Sequence, residues 1–265
     1  IHVEGVIMSG RNQGTLFGDM GGVDAVIRQL REAGEDSSVK AIVLRVNTPG
    51  GSVPATQELG TEITRIRVAG KPIVTSMGDV AASGGYWLAA MTDKVYANPS
   101  TMTGSIGVYI PYANWEELYK KIGISQEKIK SGSHKDILSP DRPITPQERA
   151  ILQSMVDDIY EQFVAVVSEG RGMDSARVRE LADGRIYTGK QAKALGLVDE
   201  LGNLYDAIDA TAQMVGIQGK PKIKEYGKNS PLNMLLEGRG GVRIEDVLGR
   251  QLKNDLLIMA PVVML

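Results

Sequence analysis

The feature that most constrains this chain is the order in which strand-like and helix-like patterns alternate. The opening residues 1–8 (IHVEGVIM) alternate like a strand. Val23, Val26, Ile27 and Leu30 then fall at i, i+3, i+4 and i+7, one face of a helix. Residues 40–47 (KAIVLRVN) are an apolar, β-branched run, Leu59, Ile63 and Ile66 form a second helical stripe, and residues 72–76 (PIVTS) form another short strand. Strands alternating with helices pair in parallel through right-handed crossovers, so the class is α/β with a mostly parallel sheet. At 265 residues such a chain buries roughly three quarters of its unfolded surface and needs neither metal nor disulfide to hold together.

The second half reads as helices. Thr145 is placed as an N-cap, Pro146 as the first helical residue and Glu148 as the partner that completes a capping box. Ile151, Met155, Ile159, Phe163 and Val166 lie on one face of that helix, which stops near Gly170 and Gly172. Shorter helices are expected over 175–181, 189–195 and 204–215, and residues 127–130 (EKIK) look strand-like. Residues 1–218 are taken as the main domain and 219–265 as a C-terminal extension. That extension opens on a basic, turn-rich link, 219–229, whose lysines read as a solvated face. It ends in the apolar run 256–265 (LLIMAPVVML), too short to span a bilayer and suited to packing on a neighbouring subunit or docking in a groove. Ile1 already begins a strand pattern, so a segment upstream, removed by processing, is expected.

Composition removes several kinds of chemistry. Thirty Lys and Arg against 32 Asp and Glu leave a net charge of -2, which argues against a nucleic-acid binder. With no cysteine there is no disulfide, thiolate metal site or cysteine nucleophile, and neither a metal nor a cofactor is expected. His2 and His134 are the two histidines.

Two segments carry candidate chemistry. In Asn47-Thr48-Pro49-Gly50-Gly51-Ser52 a strand ends at a turn whose glycines bare consecutive N–H groups, an arrangement that holds an oxyanion when it opens a helix. In 78–87 (GDVAASGGYW) a strand runs through small residues into a helix, and Ser83 stands at the junction. That position suits a nucleophile on a strand-to-helix turn and equally suits a helix N-cap. A serine nucleophile needs a base. The histidines are one source, and a lysine whose charge burial suppresses is another; Lys128, Lys130 and Lys135 are the candidates near His134. A third segment, 184–189 (GRIYTG) with 194–199 (ALGLVD), reads as a turn, a short helix and a strand end.

Taken together, TPGGS, GDVAASGGYW, TMTGSIGV, SGSHKD and GRIYTGKQAKALGLVDELG, in this order over about 1–217, resemble the bacterial signal peptide peptidase A family in its short, single-repeat form. The last of these elements is also similar to the wider ClpP/crotonase superfamily. The resemblance implies a ClpP/crotonase-like ββα spiral with helical oligomerisation elements. It implies a Ser–Lys dyad peptidase with Ser83 as nucleophile and Lys135 as general base. Gly50 matches the oxyanion-binding glycine, with Gly84 as second donor, and Ser105 matches a serine that orients the lysine. Gly51, Val53, Val80, Met102 and Ile106 are the residues expected to line the peptide site, while Asp79 faces substrate or caps a turn. The family further implies released signal peptides and other unfolded, apolar peptides as substrates. It implies a dome-shaped ring of protomers with Ser and Lys contributed by neighbours. A membrane anchor in the absent N-terminal segment would place the catalytic domain on the extracytoplasmic side. Two rival readings are a crotonase-like acyl-CoA hydratase or isomerase, which needs active-site carboxylates, and a non-catalytic ring that holds peptides.

Overall fold

A computed structural model describes residues 1–10 and 22–227 of the chain. Its framework is a parallel sheet formed by β1 (His2–Glu4), β2 (Ile42–Thr48), β3 (Ile73–Ala82), β4 (Lys94–Ala97) and β7 (Glu200–Leu201), in that spatial order. Helix α1 (Val23–Glu35) joins β1 to β2, and α2 (Val53–Val68) joins β2 to β3. This is the strand and helix order that the hydropathy pattern predicts, and the fold is a mostly parallel ClpP/crotonase-like α/β fold. Alternate residues of β2 are fully buried, whereas β3 is buried from Ile73 through Gly78, as suits a strand covered on both faces.

β3 serves two neighbours in succession. Val74, Thr75 and Ser76 pair with β4, while Val80, Ala81 and Ala82 pair with β5 (Met102–Gly104). Between the two sets the sheet must turn. The β2–β3 register shifts between Val46 and Thr48, and the Asn47 side chain accepts the Val80 N–H at 3.1 Å in place of a ladder bond. Thr101 Oγ1 donates to Gly78 O at 2.7 Å on the other side. β5 then pairs antiparallel with β6 (Ile186–Thr188). Helix α3 (Gly84–Ala90) follows β3 with a single residue between, and every residue of it is buried.

The remaining helices are α4 (Glu116–Lys121), α5 (Pro146–Arg171), α6 (Ser175–Leu181), α7 (Gly189–Ala194) and α8 (Leu204–Met214). α5 begins with the expected Thr145–Glu148 capping box and ends on Gly172 at φ 61. Its predicted apolar face divides in two. Phe163 is buried in the core, its ring 4.9 Å from that of Trp87, and Ile159 and Val166 are half-buried, whereas Val164 and Val167, outside the predicted face, are buried too. Ile151 and Met155 are exposed, although Glu148 in the first turn of the helix is buried. Residues 127–130 form no strand, and α4 is a helix that the apolar pattern did not announce. Among the described residues of the extension, 219–227, there is no helix or strand. They lie against α1 through the Lys224–Asp36 ion pair at 2.7 Å and contact between Gly227 and the Gln29 side chain. The terminal run 256–265 lies outside the described residues.

The Trp87–Phe163 contact ties α5 to the helix that follows Ser83. Replacing Phe163, 2% exposed, by Ala is expected to lower the unfolding free energy by about 3–5 kcal/mol. Urea unfolding should show a lower midpoint at unchanged slope, and an unchanged midpoint would contradict the packing described.

Candidate active site

Ser83 occupies the one residue between β3 and α3, at φ 54 and ψ -121. A non-glycine residue holds a positive φ only when its surroundings fix it. Here the Ser83 N–H donates to Gly104 O at 2.8 Å, and its carbonyl accepts the Trp87 N–H at 2.9 Å, the first bond of α3. Its side chain makes no capping bond to that helix, so the N-cap reading does not describe what the hydroxyl does. The Gly84 N–H, at the first helical position, has no intrahelical acceptor.

The Gly50–Gly51 turn lies directly against this junction. A Cβ on Gly50 would stand 2.7 Å from Ser83 Cβ, 3.0 Å from Ser83 Oγ and 2.8 Å from Gly84 N, so only glycine lets the backbone come this close. Gly50 does not offer its N–H to Ser83, however. That N–H donates to Thr48 Oγ1 at 3.0 Å. The next one is free: Ile7 bridges the turn by donating to Gly50 O and accepting from Ser52 N–H, which leaves the Gly51 N–H facing away from Ile7 with no acceptor among the described residues. The N–H expected to be free on Gly50 is thus taken by the Thr48 hydroxyl, whereas that of Gly51 has no acceptor among the described residues.

Ser83, Gly51 and Gly84 share one hollow. Val53, Trp87, Val108, Ile159 and Phe163 give it apolar walls, with Thr56 and Gly107 between them. Among the described residues, no carboxylate and no histidine lines it. Of the other residues expected at the peptide site, Val80 and Met102 lie outside this hollow, Met102 being 48% exposed on β5. Ile106 is fully buried and so is core, not lining; the residue after it, Gly107, reaches the hollow instead. Asp79 is exposed beside Val80 and lines nothing here. Ser105 is half-buried at φ 51, its N–H donates to Arg185 O at 2.8 Å, and its hydroxyl has no partner among the described residues.

The candidate bases lie elsewhere. His2 sits between Glu4 and Glu225, 3.2 Å from each. Lys128 is tied to Asp141 and Ser139, and Lys130 to Asp136 at 2.7 Å. Lys135 is exposed on the turns of 131–138, makes no ion pair among the described residues and is not among the residues that line the hollow. The structure thus gathers Ser83, Gly51, Gly84 and Val53, and leaves Lys135 apart from them within one chain.

The turn that carries Lys135 is held by charge. The Arg142 guanidinium donates to Asp136 Oδ2 at 3.0 Å and Oδ1 at 2.8 Å, and to Glu148 Oε1 at 2.6 Å and Oε2 at 2.8 Å. Glu148 is 1% exposed and also accepts the Thr145 N–H, while His134 Nδ1 lies 3.8 Å from it. These bonds lower the Glu148 carboxyl to about 2 and put Asp136 well below the usual carboxylate range, with Arg142 the largest cause in both. A sequence reading reached the helix cap but not this cluster, because nothing in the spacing of Asp136, Arg142 and Glu148 says that they converge.

A serine on a strained strand-to-helix turn, facing bare N–H groups on a ClpP/crotonase-like fold, is the arrangement of a serine peptidase domain. Residues 65–218 match the model of Peptidase family S49, and the chain belongs to that family. It is 43% identical over 184 residues to a protein of Enterococcus faecium named "Putative signal peptide peptidase SppA", covering 69% of this chain and 54% of that protein. It is 36% identical over 243 residues to Protease 4 of Salmonella typhi, covering 91% of this chain and 38% of that one. It is 32% identical over 220 residues to the chloroplastic serine protease SPPA of Arabidopsis thaliana, covering 83% of this chain and 32% of that one. The chain thus spans about half the length, or less, of these relatives.

Both clamp carboxyls have depressed values in the folded protein, so their stabilisation is complete above the ordinary carboxylate range and fades as pH falls toward 2. Amide exchange in 131–141, corrected for its intrinsic pH dependence, should be protected at pH 7 and lose protection between about pH 4.5 and 2. Arg142→Ala should abolish the protection at pH 7. Equal protection in that variant would show that the clamp does not order the turn.

Proposed function

We propose that this chain is a serine endopeptidase in which Ser83 is the nucleophile and Lys135, from a neighbouring copy, is the general base. The observation that carries the reading is the Ser83 turn at positive φ, which shares one hollow with Gly51 and Gly84, whose N–H groups have no acceptor among the described residues. Ser83 Oγ attacks a peptide carbonyl as the uncharged lysine amine takes its proton. The carbonyl oxygen becomes an oxyanion held by Gly51 and Gly84. The resulting ammonium gives its proton to the leaving amine, which breaks the C–N bond. Water, activated by the same amine, then hydrolyses the acyl-enzyme. Ser105, with its unspent hydroxyl, orients the lysine in this reading. Because the amine works uncharged, activity rises with pH.

Shared sites account for two observations at once. Among the described residues, Lys135 stands exposed with no ion-pair partner, and no basic side chain lines the hollow beside Ser83. The segment that leads to Lys135 is also rich in exposed apolar side chains, among them Trp115, Leu118, Ile122, Ile124 and Ile129, with Ile151 and Met155 on α5. Such surface is what an assembly of copies covers. A closed ring, with the C-terminal extension serving assembly or groove docking, belongs to the same reading. Burial against a neighbour would strip water from Lys135 and favour its neutral form.

The apolar hollow suits unfolded apolar peptides, including the signal peptides named in the Enterococcus relative. No helix among the described residues is long and apolar enough to cross a membrane. In this reading the membrane association comes from a segment N-terminal to Ile1, with the catalytic domain on the extracytoplasmic side. Among the described residues the hollow is lined by Ser83 and glycines where hydratase chemistry calls for carboxylates, which favours the peptidase reading.

A serine-directed fluorophosphonate should label the assembled protein and fail to label Ser83→Ala. Ser83→Ala and Lys135→Ala should each lose turnover by at least about a thousandfold. When the two inactive variants are co-assembled, a fraction of the activity should return, because one supplies the lysine and the other the serine. No recovery in verified mixed assemblies would refute the shared site, and full turnover by Lys135→Arg would refute the base.

A further inference from the structure

The peptide unit between Gly50 and Gly51 decides which backbone atom faces Ser83, and a side chain outside the proposed mechanism grips it. Thr48, the last residue of β2, is 1% exposed. Its Oγ1 accepts the Gly50 N–H at 3.0 Å, and its hydroxyl donates to Gly50 O at 3.4 Å. The Ile7 N–H donates to the same carbonyl at 2.9 Å. A trans peptide points its C=O and N–H in opposite directions, and this chain has no cis peptide bond among the described residues. Holding Gly50 O toward Thr48 and Ile7 therefore aims the Gly51 N–H the other way, into the hollow that Gly51 shares with Ser83 and Gly84.

The grip matters because of what flanks it. Gly50 at φ 100 and Gly51 at φ 154 occupy conformations open to glycine, and a peptide between two glycines rotates more freely than any other. A flip of that unit would present a carbonyl oxygen to the serine where a donor is required. The Thr48 side chain is itself fixed: its Cγ2 packs where Gly85 has no side chain, 2.7 Å from the position a Cβ would take there.

We propose that Thr48 is a positioning residue of the oxyanion site, its hydroxyl holding the Gly50–Gly51 peptide so that the Gly51 N–H stays aimed at Ser83. The inference rests on the serine peptidase reading above and adds a residue to it.

The test compares Thr48→Ser, Thr48→Cys and Thr48→Val with the parent in the assembled full chain. Turnover of a fluorogenic peptide is measured together with inhibition by a peptide aldehyde, whose hemiacetal mimics the tetrahedral intermediate. Thr48→Val should lower kcat roughly a hundredfold with KM changed less than about twofold, and should weaken the aldehyde by a similar factor. Thr48→Ser, which keeps the hydroxyl, should stay within about threefold of the parent, and Thr48→Cys, a weaker acceptor, should fall between them. Should Thr48→Val fail to fold, the gap between Ser and Cys decides. Equal kcat in those two, or a loss in Thr48→Ser that tracks its melting temperature, would overturn the proposal in favour of a packing role. Failure of the underlying reading shows separately, as activity that survives Ser83→Ala.

Discussion

The backbone at Ser83 is the constraint on which the site depends. A serine at positive φ is held there by a strand bond on one side, to Gly104, and a helical bond on the other, from Trp87. Strain of this kind costs about 1–3 kcal/mol and persists only where packing over-determines it. The surroundings supply that packing. α3 is buried along its whole length, and Tyr86 within it donates its hydroxyl to Leu197 O at 2.9 Å. The strain places a hydroxyl at a strand end with free N–H groups beside it, and gives up a helix N-cap in exchange.

The bend of β3 is what brings the partners to that serine. One strand that paired with β4 throughout would carry Ser83 away from the Gly50–Gly51 turn and from β5. Asn47 takes over a ladder bond at the bend, and the second half of β3 then runs beside β5, whose last residue fixes the Ser83 N–H. The chemistry of the site thus follows from a change of partner within a single strand.

Much of this was legible in the sequence where the signal is local. The strand and helix order, the α5 capping box and the Ser83 junction all follow from periodicity, capping residues and small-residue runs. What escaped depends on contacts between distant residues. Gly50 and Gly51 look alike in a TPGGS turn, and only the Thr48 hydroxyl distinguishes their N–H groups. Ile106 and Gly107 are neighbours, yet one is core and the other lines the hollow. The apolar stripe on α5 is real, but sequence cannot say that Ile151 and Met155 at its start stay exposed while Phe163 is buried. The resemblance singles out Lys135 through its flanking SGSHKD, whereas the salt-bridge cluster around that turn has no such signature.

α5 touches the molecule at two functional places: Phe163 walls the hollow, and Glu148 anchors the clamp on the lysine turn. These residues are fifteen positions apart, about 22 Å along the axis. The helix is in this sense a gauge that sets both spacing and azimuth. Adding or deleting one residue between them would swing the clamp by about 100° about the axis, whereas a change of seven would nearly restore its direction. Length variation in this helix is therefore tolerable only in near-whole turns, however exposed the intervening residues are.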